Sequence, residues 1–205
     1  PHGVDVGEGS PICSEREALV VYIGRFDDTK GTQDFVEAVT QVLAGRPQAR
    51  AIVAGGLPSH PRMERRWRRR GADGLATAAA VRDRIEVTGW LQTEAIDELL
   101  DRAGVVAIPS RYETFGMVAL EAMARAAPIV ATRAGGLIDL LDDETALLVP
   151  PGDRRALAES IAALLDDPER GRRLGRQARA VAATRFSWAQ AGQQMQRTYA
   201  AVLRR

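Results

Sequence analysis

The sequence predicts an α/β fold: a doubly wound parallel sheet of about six strands, helices on both faces, and extra helices at the C-terminal end. Three observations predict it. Six short strand-like runs alternate with helix-like runs between residues 19 and 149. Several of these runs are continuously apolar and end at Gly or Pro, as strands buried on both faces do. Helical stretches then follow the last run with no further strand. Composition agrees with a packed domain. The 205 residues carry 28 basic and 27 acidic side chains for a net charge of +1, and 45% are hydrophobic. That apolar fraction excludes a disordered tail, and Gly and Pro do not repeat as collagen requires. The near-neutral balance argues against a dedicated nucleic-acid binder. A single cysteine, Cys13, excludes an internal disulfide framework or a multi-cysteine zinc site. No apolar stretch approaches the roughly 18 residues of a membrane span.

The elements read off in order. Leu19 to Gly24 is a β-branched strand run. Gln33 to Ala44 places Phe35, Ala38, Val39, Val42 and Leu43 at helical spacing. Arg50 to Ala54 is the second strand, closed by Gly55-Gly56, and Arg84 to Thr88 the third, closed by Gly89. Thr93 is expected to cap a helix through Arg102 that turns Ile96, Leu99 and Leu100 inward. Val105 to Ile108 is stopped by Pro109, and Phe115 to Ala127 reads as a short apolar helix. Ile129 to Thr132 and Ala146 to Val149 are the fifth and sixth strands, the latter stopped by Pro150-Pro151. Asp153 caps a helix ending near Asp166, Pro168 starts another to about Arg185, and Ser187 caps the last. The alternation makes the whole Rossmann-like. Pro1 to Ser14 is rich in Gly and Pro without apolar period, so residues 1–17 read as a linker and 18–205 as one domain. Residue 1 is Pro, and the start reads as cut from a longer chain.

In an open parallel sheet, ligands bind beyond the carboxyl ends of the strands. After the first strand stands G-R-F-D-D-T-K-G, Gly24 to Gly31, where Arg25 and Lys30 bring two cations to the start of a helix. That is a diphosphate site or, alternatively, a surface turn pairing Arg with Asp. It is not a Walker A loop, which needs a second Gly before the Lys. Lys30 is the only lysine of the chain, and the other basic residues are arginines, in keeping with a GC-rich coding bias. After the fourth strand stands P-S-R-Y-E-T-F-G-M-V-A-L-E-A-M-A, Pro109 to Ala124, with Glu113 and Glu121 eight apart. Glu113 falls in the loop and Glu121 in the second turn of the helix. A carboxylate accepts hydrogen bonds in pairs, which suits the vicinal hydroxyls of a sugar or ribose. The alternative for Glu121 is an exposed helical glutamate, and its neighbours Leu120 and Met123 favour burial. The amides from Gly116 onward point out of the helix start, where an anion is favoured.

This segment resembles the E-x7-E segment of the retaining glycosyltransferases of family 4. From Val20 to about Tyr199 the chain is similar to the C-terminal, donor-binding domain of their GT-B fold. Supporting pieces stand in the same order: G-R-F-D-D-T-K-G, V-T-G-W-L, the Glu pair, A-P-I-V-A-T-R-A-G-G and A-L-L-V-P-P-G-D. The opening P-H-G-V-D-V is similar to the family's interdomain linker. The resemblance implies that Arg25 and Lys30 meet the donor diphosphate. It implies that Glu113 contacts the transferred sugar, aided by the amides of Phe115, Gly116 and Met117, and that Gly24 and Val118 belong to the same donor site. Glu121 would hold the ribose, and Trp90 and Leu91 would lie against the base. It further implies a hexosyl transfer with retained anomeric configuration, no cofactor, and no bound metal. The partners would be a nucleotide-sugar donor (the UDP, GDP and ADP forms all open), an acceptor, and an N-terminal domain absent from this sequence. One departure stands out: Gly135-Gly136 lead to Leu137-Ile138-Asp139 where the family often has Pro-Glu.

Other readings remain. The chain could be a non-catalytic nucleotide- or sugar-binding module, or another GT-B enzyme such as a sugar-nucleotide epimerase. A phosphorylase would need a lysine for pyridoxal phosphate, and Lys30 is committed to the turn. An NAD-binding domain is disfavoured because no G-x-G-x-x-G follows the first strand. The arginine-rich run Arg62 to Arg70 reads as a solvated face, with peripheral contact at an anionic membrane surface as the alternative. His2 and His60 read as loop histidines, and Cys13 as incidental. With no secretory leader in view, the expected location is cytoplasmic.

Overall fold

The apolar runs become six strands: β1 Leu19–Gly24, β2 Arg50–Gly55, β3 Ile85–Gly89, β4 Val105–Ile108, β5 Ile129–Thr132 and β6 Leu147–Val149. The computed structural model describes residues 3–6, 15–56 and 79–203. All six strands pair in parallel, in the order β3-β2-β1-β4-β5-β6. The order reverses between β1 and β4, the helices that follow these two strands pack on opposite faces of the sheet, and ligands bind beyond the strand ends at such a switch point. The helices are α1 Thr32–Ala44, α2 Ala79–Arg82, α3 Thr93–Arg102, α4 Met117–Ala124, α5 Leu137–Leu140, α6 Arg154–Asp166, α7 Pro168–Arg185 and α8 Trp188–Leu203.

The pleat of β1 divides the core. Val20 and Tyr22 face one side, with Phe35, Val39 and Leu43 of α1 and Leu157, Ile161 and Leu164 of α6. Leu19 and Val21 face the other, with Leu99 and Leu100 of α3 and Leu120 and Met123 of α4. Strands β4 and β5 are buried along their whole length, as a strand covered on both faces must be. Strand β3 is an edge strand, and there Glu86 is exposed.

Local chemistry shifts some boundaries. The helix expected over Phe115 to Ala127 is shorter, because Gly116 sits at φ 100° and cannot lie inside it. At its other end Ala126 adopts φ 53°, with Ala127 N–H donating to the Ala122 carbonyl at 2.9 Å and Ala126 N–H to Met123 at 3.0 Å. This is a Schellman ending with alanine in the place usually taken by glycine. Thr93 is the first helical residue of α3 and Gln92 the cap, without a side-chain bond. Asp153 caps α6 by accepting from Ala156 N–H at 2.9 Å, and Asp167 caps α7 by accepting from Arg170 N–H at 3.0 Å. Ser187 Oγ accepts from Gln190 N–H at 3.3 Å, as expected for the start of α8.

Helix α7 covers β5 and α4, and only Ala191 of α8 is buried. At the opening end, Val4 N–H donates to the Phe186 carbonyl at 2.9 Å, so this part of the expected linker runs beside the α7–α8 joint. Among the described residues no helix is long and apolar enough to cross a membrane. Cys13, His2, His60 and the Arg62 to Arg70 run lie outside the described residues.

Candidate active site

The turn after β1 is built from its own sequence. Asp27 caps a single 3-10 turn, Asp28–Lys30, its carboxylate accepting from Lys30 N–H at 3.0 Å. The same carboxylate pairs with Arg25 Nε at 3.0 Å. Burial raises the proton affinity of Asp27, but bonds from the Thr29 hydroxyl and the Lys30 amide outweigh it and hold the group below the usual carboxylate range. Beneath the turn, the buried Tyr22 hydroxyl donates to the Arg25 carbonyl at 2.8 Å and shares a hydrogen bond with Thr32 Oγ1 at 2.9 Å. Burial pushes the Tyr22 phenol well up, so it stays protonated and a donor. The Arg–Asp pair weighed as an alternative from sequence is therefore present, and it fixes the turn that presents Lys30.

The loop after β4 lies across this turn. Arg111 and Tyr112 amides both donate to the Thr29 carbonyl, at 2.8 and 3.2 Å. Gly31 makes the approach possible: it sits at φ 66°, and a Cβ there would lie 2.0 Å from the Pro109 carbonyl oxygen. Glu113 is thereby brought to Lys30, with Nζ 2.6 Å from Oε2. Glu113 Oε1 also accepts from Thr114 N–H at 3.1 Å. From the far side Gly136 N–H donates to the Glu113 carbonyl at 2.9 Å, and a Cβ on Gly135 would stand 2.0 Å from that same oxygen. The Gly135-Gly136 pair thus lets the chain after β5 back directly onto the Glu113 loop.

Between these loops lies a cavity of about 650 Å³. Gly24, Arg25 and Lys30 line it from the first loop, Trp90 and Leu91 from the loop after β3, and Val118 and Glu121 from α4. Every one of these was expected from sequence. Ile23, Ala54, Gly55, Ile96, Thr29, Tyr112 and Thr114 complete the wall and were not. Trp90 is 60% exposed, so its ring stands at the rim. Glu121 is half-buried, and among the described residues nothing donates a hydrogen bond to its carboxylate. Burial, reinforced by the charge of Asp97, raises its proton affinity.

Four expected residues sit beside the cavity instead of lining it. Glu113 reaches it through Lys30. The Phe115 side chain packs edge-on against Phe186, with centroids 6.3 Å apart, and Met117 is exposed. Gly116 is buried against Leu137. For Phe115, Gly116 and Met117 the expectation concerned backbone amides, and these stand at the start of α4, where amides have no intrahelical acceptor. Among the described residues no cluster of His, Cys, Asp and Glu could hold a metal ion.

Tyr22 and Asp34 were not expected from sequence, and Asp27 was expected only as the Asp of an Arg–Asp turn pair. Asp34 is buried in the first turn of α1 and bound by two arginines, Arg111 and Arg154. Asp27 was legible as the residue three before Lys30 in a capping position. Asp34 had no signal, because its partners are 77 and 120 residues away.

The sequence profile of the glycosyl transferases group 1 matches residues 11–181. The chain is 32% identical over 182 residues to the alpha-D-kanosaminyltransferase of Streptomyces kanamyceticus, covering 88% of this chain and 45% of that protein. It therefore spans about half the length of the curated relatives it matches. Anabaena HepE, solved in complex with UDP-glucose, superposes with a TM-score of 0.79 at 26% identity, over 90% of this chain and 49% of HepE. The C-terminal domain of the group 1 protein LpcC from Francisella tularensis superposes with a TM-score of 0.71 at 26% identity, over 83% of this chain and 86% of that domain. Profile, relatives and folds agree on one lineage: this chain belongs to the glycosyl transferases group 1 and has the fold of their C-terminal domain.

Proposed function

We propose that this chain is the donor-binding half of a retaining glycosyltransferase, moving a hexose from a nucleoside diphosphate sugar to an acceptor hydroxyl. The observation that carries it is the Lys30–Glu113 pair, 2.6 Å apart, beside a cavity that also holds Arg25 and Glu121 at the β1/β4 switch point. Its volume, about 650 Å³, suits a ligand of nucleotide-sugar size. The likeness to HepE, solved with UDP-glucose, supports a ligand of that class.

The roles follow from charge and position. Arg25, Lys30 and the amides at the start of α4 stabilise the diphosphate as it departs, which is the charge neutralisation a divalent metal performs elsewhere. When Lys30 turns to phosphate, it releases the Glu113 carboxylate to accept from the sugar hydroxyls. Glu121 accepts from the ribose, and Trp90 and Leu91 flank the base. In the transfer the bond from the anomeric carbon to the β-phosphate oxygen breaks while the acceptor oxygen bonds to that carbon on the same face. The acceptor's proton leaves with the diphosphate. Acceptor contacts come from a second domain, so the chain alone binds donor weakly and transfers nothing.

Calorimetric titration of the chain with UDP-, GDP- and ADP-glucose tests this. One of the three is expected to bind, and Glu121→Ala to weaken it at least about tenfold by removing a charge-assisted acceptor. No binding at millimolar concentration, or binding indifferent to Glu121→Ala, contradicts the reading.

A further inference from the structure

The geometry points to Asp34 as the positioning residue of this site: its carboxylate, gripped by Arg111 and Arg154, locks the turn that carries Lys30 against the loop that carries Glu113. The consequence for donor binding rests on the function proposed above, whereas the lock itself consists of three side chains of this chain, Asp34, Arg111 and Arg154.

Asp34 stands four residues after Lys30, in the first turn of α1. Its side chain is 2% exposed, whereas those of Arg111 and Arg154 are 50% and 39% exposed. Oδ2 accepts from Arg111 Nε at 2.9 Å and Oδ1 from Arg111 Nη2 at 3.0 Å, a two-pronged pair that fixes orientation as well as distance. Oδ1 also accepts from Arg154 Nε at 2.7 Å, and Arg154 bonds Glu37 one turn further along α1. Arg111 lies two residues before Glu113 and is tied twice to the first loop, by this pair and by its amide on the Thr29 carbonyl at 2.8 Å. Arg154 begins α6 and adds a third element to the joint.

A helix start needs neither this burial nor two arginines. An exposed carboxylate would serve the helix dipole, and an aliphatic side chain would fill the space. What the buried carboxylate adds is a single allowed placement of Arg111, and so of Glu113. Asp27, Tyr22 and Thr32 hold the turn within itself, and Gly31 has no side chain to cap α1, so Asp34 supplies the side-chain tie from the start of this helix to the loop after β4.

Lys30 is the only lysine, so isotope-labelled lysine gives one side-chain ammonium signal, which reads this geometry directly. Glu113→Gln supplies the position of that signal without its ion pair. In Asp34→Asn, folded by circular dichroism, the signal is expected to move toward the Glu113→Gln position, and donor affinity to fall on the order of tenfold. Arg111→Ala, a change at a half-exposed side chain that leaves Lys30 the only lysine, is expected to do the same. If Asp34→Asn does not fold, Arg111→Ala decides. A folded Asp34→Asn whose lysine signal stays at the wild-type position overturns the inference, as does a wild-type signal already coincident with that of Glu113→Gln. A wild-type chain that binds no donor sugar while Asp34→Asn still moves the signal leaves the lock standing and defeats the donor reading instead.

Discussion

Glu121 shows most sharply how one residue trades stability against binding. Burial and Asp97 raise its proton affinity, so the folded chain holds that proton to higher pH than the unfolded chain does. Its contribution to stability is therefore fullest below the ordinary carboxylate value of about 4.3 and is lost as pH rises through the raised value. Glu121→Gln is expected to unfold at higher urea than wild type at pH 7, with the difference shrinking toward pH 4, while binding donor more weakly. The two carboxylates of the pair are thus unlike in kind. Glu113 accepts from Lys30 and an amide, whereas among the described residues nothing donates to Glu121. In the proposed function Lys30 meets the departing diphosphate. In the intact enzyme, Lys30→Ala is expected to lower donor-dependent turnover by roughly two to three powers of ten, the scale for removing a group that stabilises transition-state charge. Steady-state turnover of that variant checks it, and near-normal rates would remove Lys30 from the mechanism.

The loops show how glycines carry the geometry of the element. Gly31 and Gly135 each stand where a Cβ would meet a carbonyl oxygen at 2.0 Å, one on Pro109 and the other on Glu113. Both sit at positive φ. Gly135→Ala is expected to cost roughly 1–3 kcal/mol from overpacking and about 1–2 more from the left-handed backbone, and to push the Glu113 loop off the Lys30 turn. Urea denaturation measures the first effect and donor titration the second. The strands and the long helices were legible because their periods and caps are local: Asp153, Pro168 and Ser187 mark helix starts by side-chain chemistry alone. The single turn α5 was not, since its four residues are too few to show a helical period. Helix α4 was read too long because its ends are set by backbone angles at Gly116 and Ala126, and the second depends on the close passage of Gly175 in α7. The site was legible where residues of one loop act together and illegible where distant loops meet, as Asp34, Arg111 and Arg154 do.

At the scale of the molecule, the strand order puts the site at the β1/β4 switch point, with a core on each face of the sheet. The two cores have different consequences. Ile161 of α6 is fully buried in the first core, away from the residues that line the cavity. Ile161→Ala is expected to destabilise the chain by roughly 2–5 kcal/mol while leaving donor affinity within about twofold, because it opens a cavity without moving either loop. Val118 and Glu121, by contrast, belong to the helix whose Leu120 and Met123 fill the second core, so packing there also sets the cavity wall. In the proposed function a donor's diphosphate lies between the β1 turn and the start of α4. A crystal structure of the chain with bound UDP, GDP or ADP tests it most directly. The phosphates are expected within ion-pair reach of Arg25 and Lys30, with the ribose on Glu121. A nucleotide bound elsewhere, such as along β6 and α6, with Lys30 still on Glu113, would contradict it.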